Sequence, residues 1–479
     1  MVKKATDVFS KIGSNKLLIG SLSLITLMAL GIRLGLICID PVIAPYGGMW
    51  SAIQEAARNL IEGNGCVAVN QGNHLAPYYK IGMGDVGLLT ATYWISGEYN
   101  DIYLRVIQAV IDSVGCLLIF SLGRKLFNRR TGLIASLLYA IYLPIAYLST
   151  WPLHDAMIPV MILASLYFFV KAVQTGAVKF YMLSAGIIGI SCYFQPSAQL
   201  LPLFFGIGII AYNFRKSEFR NNVLNAAKMT VIMMAVLGLV VSPCLVRNYQ
   251  LSGTINMRPP GLWQGVWQGF GEFENPVGAR LADLYGVQLA KETLGEDVEP
   301  WSKETDTFFR GKVINTIKEH PVWWLGILVK RIPRTIVNFS ELGLNLHPLV
   351  ETEYFTLSKY FYRGGGMGYR EALNGLVDGI RDGTFWGIAG KNPYGTVYFG
   401  LIGLFAFLPA LLGAVGVWVM RRRWRILVMV LMIPVYFSGL HAMILVASYK
   451  SIVPASIGYI LLSAVALSYI YGRIRKESI

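Results

Sequence analysis

Charge is the scarcest feature of this chain. Asp, Glu, Lys and Arg make up 14% of its 479 residues, where a soluble domain carries about 25%. That deficit excludes an ordinary water-exposed fold. The five cysteines, Cys38, Cys66, Cys116, Cys192 and Cys244, are scattered. No pair has metal-ligand spacing and no disulfide framework is implied, so they read as small apolar fillers. No P-loop, dinucleotide fingerprint or zinc motif is present. With no visible nucleotide site, any group donor must arrive activated in another way. The sequence also lacks an internal repeat and a low-complexity tract, which sets aside repeat architectures. No convincing cleavage site follows the first apolar run, which reads as a retained helix.

What the chain does have is a ladder of apolar runs, with 54% hydrophobic residues and a mean hydropathy of +0.52. Each run is about the length of a bilayer-crossing helix. The expected fold is an all-α polytopic membrane protein of about ten transmembrane helices, with interfacial helices and one extracytoplasmic α or α+β module. The expected spans are Leu17–Ile39, Ile102–Gly123, Leu133–Leu148, Ala156–Val173, Phe180–Phe194, Ala198–Tyr212, Thr230–Val246, Val397–Met420, Ile426–Val446 and Ile452–Tyr471. Residues 1–246 then form a transmembrane domain with a first external loop at 40–101. Residues 247–394 form the external module with a juxtamembrane helix, and residues 395–479 form the C-terminal helices.

The formal net charge is +15, from 42 Lys and Arg against 27 Asp and Glu. In a soluble chain that excess would suggest nucleic-acid binding. Here the cations cluster between spans, at Lys3/Lys4/Lys11/Lys16, Arg124/Lys125/Arg129/Arg130, Lys171/Lys179, Arg215/Lys216/Arg220, Arg421/Arg422/Arg423/Arg425 and Arg473/Arg475/Lys476. Threading the expected spans puts all of them on one side, which the positive-inside rule makes cytoplasmic. Both termini are then inside, in what reads as a bacterial inner (plasma) membrane protein, with the bilayer and no nucleic acid as partner.

In the first outside segment, Trp50, Ile53, Ala57, Leu60 and Ile61 recur at three- and four-residue steps, an amphipathic helix suited to the membrane surface. Gly63 and Gly65 end it. Val86–Ile95 is too short to cross and reads as interfacial or re-entrant. The larger segment opens with Gly- and Trp-rich Pro259–Phe273 and an acidic helical stretch around Ala290–Glu304. Pro321–Ile336 then mixes Trp323 and Trp324 with Lys330, Arg331 and Arg334, as a headgroup-level helix does.

Ionisable groups at the membrane are costly, so each needs a reason. Asp155 stands with His154 at the outer mouth of a span, after Trp151 and Pro152. It is either a helix N-terminal carboxylate held by the macrodipole or an acid/base, metal-binding or substrate-binding group. His154 would relay a proton or bind a metal or substrate. Asp40 is a solvated cap at a membrane exit or a site carboxylate. Glu55, Arg58 and Glu62 lie on the polar side of the interfacial helix, either solvated or functional. Asp85 sits among glycines in Gly82–Gly87. Asp112, inside a span, fits packing or hydrogen bonding better than catalysis. Lys80, Arg247, Arg258, Arg331, Arg334 and Lys450 can converge on an anion, because arginine forks match phosphate oxygens; snorkelling to headgroups is the alternative. No cofactor is implied, and a divalent metal at the carboxylates stays open.

Arg105-Val106-Ile107-Gln108, Gly123-Arg124-Lys125-Leu126-Phe127, Arg130-Thr131-Gly132-Leu133-Ile134-Ala135, Tyr142-Leu143-Pro144 and the acid Asp155 occur in that order. Pro243 with Arg247-Asn248-Tyr249 and Gly253 follows, then Pro321 with Arg331, then Tyr449-Lys450 with Pro454. This succession resembles the C-type (GT-C) glycosyltransferases, in particular the family 39-like group of protein O-mannosyltransferases and lipid A aminoarabinose transferases. The resemblance implies transfer of a sugar from a polyprenyl-phosphate carrier to a lipid, glycan or protein acceptor on the outer face, with inversion. A first-loop carboxylate, Asp40 or Glu55, would act with Asp155 as base, and Lys80, Arg247 and Arg331 would meet the phosphate. It also draws Asn248, Tyr449 and Lys450 into the substrate site. The chain departs from the group in three places. Tyr46–Trp50 holds no acid where one is usual, and Gln195 and Ser448 stand where arginine is common. A non-catalytic lipid-glycan binding or assembly subunit with the same fold is therefore the second reading, and a lipid-glycan transporter the third.

Overall fold

The computed structural model describes residues 2–39, 47–69, 75–78, 83–152, 155–214, 216–257, 260–336, 381, 393–444 and 450–474. Among them the chain is almost wholly helical. The first half comprises α1 (Val2–Ile39), α2 (Gly47–Ile61), α3 (Met83–Ser96), α4 (Asp101–Leu126), α5 (Arg129–Ile141), α6 (Leu143–Leu148), α7 (Ile158–Thr175), α8 (Val178–Phe194), α9 (Leu201–Tyr212) and α10 (Phe219–Ser252). Between α2 and α3 lies a two-stranded antiparallel ribbon, β1 (Val67–Val69) and β2 (Leu75–Pro77), with Ala68 opposite Ala76. Next come α11 (Leu262–Phe270), α12 (Asp283–Leu294), α13 (Lys303–Glu319) and α14 (Pro321–Ile336), and finally α15 (Pro393–Met420), α16 (Trp424–Ile444) and α17 (Ser456–Ile474).

Every expected span overlaps helix. Among the described residues six stretches are long and apolar enough to cross a membrane: Lys16–Cys38, Asp101–Leu126, Ile158–Thr175, Phe219–Leu251, Leu408–Ile444 and Val453–Ile474. Val178–Phe194 and Pro196–Tyr212 are apolar but shorter. The expected span Leu133–Leu148 is broken at Tyr142, where α5 gives way to α6. Pro144 in the first turn of α6 explains the break, since it has no N–H to continue the ladder. Helix α10 runs through Pro243, Arg247 and Asn248 to Ser252. Those two polar residues therefore belong to the end of the span, not to the start of the external segment.

Lipid tails are as apolar as leucine, so packing holds such helices together more than the hydrophobic effect does. The main core joins Phe169 of α7, Ile188 of α8, Phe205 of α9, Phe437 of α16 and Leu461 of α17. The Phe169 and Phe205 rings stack at 4.0 Å. A charged clasp ties α1, α4 and α5 inside this bundle. Arg33 Nε donates to Asp112 Oδ2 at 2.7 Å, and Tyr139 donates its hydroxyl to Asp112 Oδ1 at 2.6 Å. Arg33 Nη1 donates to Ala29 O at 3.0 Å and Ala140 O at 3.3 Å. Asp112 is thus the hydrogen-bonding group the sequence suggested.

The described residues between α1 and α4 form a small unit of their own. Trp50, Ile53, Ala56 and Ala57 of α2 are buried with Ala68, Tyr78, Val86, Leu89 and Tyr93. The apolar face of α2 is thus covered by protein, chiefly α3. Asp101 at the start of α4 fastens the unit, accepting from Trp50 Nε1 and Gln54 Nε2 at 2.8 Å each, and from the Tyr93 hydroxyl. Gly63, at φ 82, makes the left-handed turn that follows α2.

In the later segment α11, α13 and α14 pack around Trp267, Phe270, Phe309 and Val313. No strand occurs among its described residues, which include none of 337–350.

The Arg33–Asp112 side chains are 0% and 1% exposed, so removing one partner strands a buried charge. Arg33→Met is expected to lower stability by about 3–5 kcal/mol, and adding Asp112→Leu should restore most of it. Thermal unfolding of the detergent-purified protein reads both. A single variant as stable as the parent would refute the clasp.

Candidate functional site

One end of the bundle collects acids, amides and two arginines from separate parts of the chain. Asp155 lies in the turn before α7 and is 3% exposed. Gln195, the residue that stops α8, points its Nε2 at Asp155 Oδ1 from 3.5 Å, a weak contact. Asp85 sits in the first turn of α3 and is fully buried, with neither carboxylate oxygen accepting a hydrogen bond. Burial, first, and then the charge of Asp155 push the Asp85 carboxyl well above the usual carboxylate range. The two acids are therefore near enough to feel one another.

Local sequence explains how α3 gets there. A side chain at Gly84 would meet the Phe194 ring at 2.7 Å, so only glycine lets the first turn of α3 press against the end of α8. That contact carries Asp85 next to Gln195 and Asp155. Tyr78, just after β2, lies close enough to Asp85 that the two charges would interact. Its backbone oxygen accepts from Arg247 Nη2 at 2.7 Å, while Nη1 of the same guanidinium is buried with no acceptor. Asn248 beside it is buried and donates to Asn256 O at 2.7 Å. On α4, Arg105 is buried and donates from Nε to Thr150 O at 2.7 Å, close before the Asp155 turn. One turn further along, Gln108 is fully buried with its amide unpartnered.

Of the residues expected from sequence, the structure brings together Asp155, Asp85 and, through Tyr78, Arg247 with Asn248. It places others elsewhere. Glu55 accepts from the Val69 N–H at 2.9 Å and so fastens β1 to α2. Arg58 is exposed, its guanidinium 5.4 Å from the Tyr99 ring centre. Arg331 does not reach for a headgroup. It is fully buried and donates to Glu272 Oε2 at 2.8 Å, Ala442 O at 2.8 Å and the Gly269 carbonyl, which joins the external helices to α16. Those acceptors occupy the forks a phosphate would need. Asp40, Lys80, His154, Arg258 and Tyr449 lie outside the described residues, as do the side chains of Arg334 and Lys450. Among the described residues no three His, Cys, Asp or Glu side chains meet as a metal-holding group. Asp85 with Asp155 supplies two carboxylates.

From sequence, Asp85 has no evident place beyond its run of glycines, and Tyr78 does not stand out. The signal for Asp85 was its glycine neighbour Gly84, which permits the close approach of α3 to Phe194. Tyr78 carries no sequence signal, since it acts through its backbone oxygen.

Over nearly its whole length the chain superposes on the archaeal oligosaccharyltransferase of Archaeoglobus fulgidus. The apo form gives a TM-score of 0.55 at 14% identity, covering 96% of this chain and 51% of that one. The chain shares the fold of this archaeal enzyme's superposed part. The same organism's oligosaccharyltransferase AglB, in complex with an inhibitory peptide and a dolichol-phosphate, gives 0.53 at 11% identity, with 97% and 51% covered. The chain thus spans about half the length of these neighbours. ArnT from Cupriavidus metallidurans bound to undecaprenyl phosphate aligns at 0.38 and 10% identity, over 95% of this chain and 80% of that one, a score too low to support the assignment. Residues 88–246, from α3 to α10 and including Asp155 and Gln195, match the family described as dolichyl-phosphate-mannose-protein mannosyltransferase. No curated protein sequence matches the chain significantly.

Asp85 also sets a pH dependence. Its raised carboxyl keeps a proton in the fold that the unfolded chain releases above about pH 3.9. The folded state therefore binds more protons, and stability falls as pH climbs from about 4 towards the folded value, then levels. Asp85→Asn should unfold at a higher temperature than the parent at neutral pH and show a flatter pH profile. Scanning calorimetry across that range decides; parallel profiles would mean that Asp85 carries no such proton.

Proposed function

We propose that this chain transfers a sugar from a polyprenyl-phosphate donor to a lipid, glycan or protein acceptor. The reaction takes place at the end of the bundle opposite its arginine-rich turns, the extracytoplasmic face by the positive-inside rule. The observation that carries this reading is the buried Asp85–Asp155 pair, with an arginine donor left open nearby. The matching family is described by a dolichyl-phosphate sugar, and a dolichol-phosphate is bound in the AglB complex. Both support a lipid-borne donor.

In the proposed step an acceptor oxygen bonds to the anomeric carbon as that carbon's bond to the phosphate oxygen breaks. The electron pair leaves with the phosphate, and the anomeric configuration inverts. The acceptor's proton goes to the Asp155 carboxylate, which requires hydrogen-bond reach of that hydroxyl. Asp85 keeps its own proton, lowering the negative charge that the departing phosphate would otherwise face. The open Nη1 of Arg247 donates to the phosphate as its charge develops, which lowers the barrier because the donor is already fixed by Tyr78 O. Lys80 and His154, neighbours in sequence of Tyr78 and Asp155, are proposed to add to the same pocket, with Asp40, Tyr449 and Lys450 as further candidates.

Reconstituted into liposomes with a radiolabelled polyprenyl-phosphate sugar and membrane-extracted acceptor, the parent should transfer label. Asp155→Asn should lose at least about 100-fold in kcat, the usual contribution of a positioned base. Arg247→Gln should lose about 100-fold, as when one oxyanion donor is removed. Both variants should remain in the membrane at parental level. Undiminished transfer by Asp155→Asn removes that residue from the chemistry. Saturable donor binding without turnover of any acceptor would favour a binding subunit.

A further inference from the structure

A second site opens at the other end of the same helices. Helix α7 carries Asp155 before its first residue and ends, about 27 Å away by helical rise, at Gly176. There a cleft of about 730 Å³ lies between the ends of α7 and α9 and the starts of α8, α10 and α16. This size lies within the usual range for small-molecule sites, about 300–1,000 Å³. Its polar wall holds Arg422, Arg423 and Arg425 together with Asn213, Asn222 and Asn225. Its floor is apolar, from Val173, Met229 and Ile426, and Tyr181, Tyr212 and Trp424 complete the lining.

The wall is built before any ligand arrives. Asn222 Nδ2 donates to Asn213 O at 2.9 Å, and Arg425 Nη2 donates to Phe214 O at 2.6 Å. These bonds fix the α9–α10 turn. The Phe214 ring in turn meets Trp424 edge-on, with centres 5.7 Å apart. The neighbouring Arg421 turns away, donating to Trp418 O at 2.8 Å and lying over the Trp418 ring. Arg422 and Arg423, by contrast, make no hydrogen bond or ion pair with the described residues and border the cleft. Glu218 is the single carboxylate in the lining and is already partnered. Three guanidiniums against one engaged carboxylate leave the cleft cationic.

We propose that this cleft binds a phosphate group, carried by an anionic phospholipid headgroup or free in solution. Positive charge near the membrane attracts any anion. A cleft adds geometry: guanidinium forks match phosphate oxygens two at a time, the asparagine amides add donors, and the apolar floor beside Trp424 accepts a glycerol or acyl stem. The site is independent of the transfer chemistry proposed for the opposite end.

The test uses the full-length protein in detergent, titrated separately with phosphatidylglycerol and with inorganic phosphate. Retention is followed by native mass spectrometry and by shift of the unfolding temperature. Saturable binding is expected. Arg422→Gln/Arg423→Gln should weaken it at least about tenfold, a loss of about 1.4 kcal/mol. Arg129→Gln/Arg130→Gln, which removes the same charge from the same end of the bundle, should leave it nearly unchanged. Asn225→Asp, which keeps side-chain size and places a carboxylate in the cleft, should weaken binding as the arginine variant does. Arg425 is left intact because it holds Phe214 O. Saturation by phosphatidylglycerol alone identifies a headgroup, and saturation by inorganic phosphate identifies a free anion. No saturable binding of either, or equal weakening by both arginine pairs, overturns the proposal.

Discussion

Burial of Asp85 beside Asp155 is the constraint around which the site is arranged. A carboxyl cut off from water in a poorly polarisable medium, with a second acid close by, holds its proton. Asp85 does so because burial removes its solvent and neither of its oxygens accepts a hydrogen bond. A protonated Asp85 suits the proposed reaction, in which a phosphate leaves nearby, since a fixed negative charge there would oppose the departing anion. Glycine at position 84 and the helix stop at Gln195 are the means by which the fold imposes this arrangement.

Elsewhere the same chain buries charge without conflict. Arg33 meets Asp112 and Arg331 meets Glu272, each guanidinium filling further donors with backbone oxygens. These pairs are matched and hydrogen-bonded, and their work is to fix helices against one another. Burial alone does not separate scaffold from site, since Asp112, Asp85 and Asp155 are all within a few per cent of full burial. What sets the site apart is an acid with both oxygens open, Asp85, with an open nitrogen on Arg247 and an open amide on Gln108.

Sequence periodicity sufficed for the apolar helices, though not for the number of spans, because lipid imposes one rule, a long apolar run, and that rule is local. The amphipathic α2 was legible for the same reason. Its partner was not: a hydrophobic stripe says that something covers it, and whether lipid or α3 does so depends on packing between segments far apart. Arg331 illustrates the limit. Cations among tryptophans read as headgroup anchors, and only the return of α16 to its side supplies the Ala442 carbonyl that draws Arg331 inward. Asp155 was legible through its place at a span mouth within a recognisable order of motifs. Asp85 was visible as a residue but not as its partner, because their meeting depends on the tertiary contact of α3 with α8.

Gln195 gives the arrangement its particular character. The group the chain resembles commonly has arginine near this turn. An amide offers Asp155 only a dipole, and at 3.5 Å a weak one. What a guanidinium at position 195 would give a phosphate then falls, in the proposed reaction, to the open nitrogen of Arg247. A donor already aimed costs no reorganisation when the phosphate gains charge. The bond of Arg247 to the Tyr78 carbonyl supplies that aim, and so links the segment that α2 and Asp101 hold in place to the end of α10.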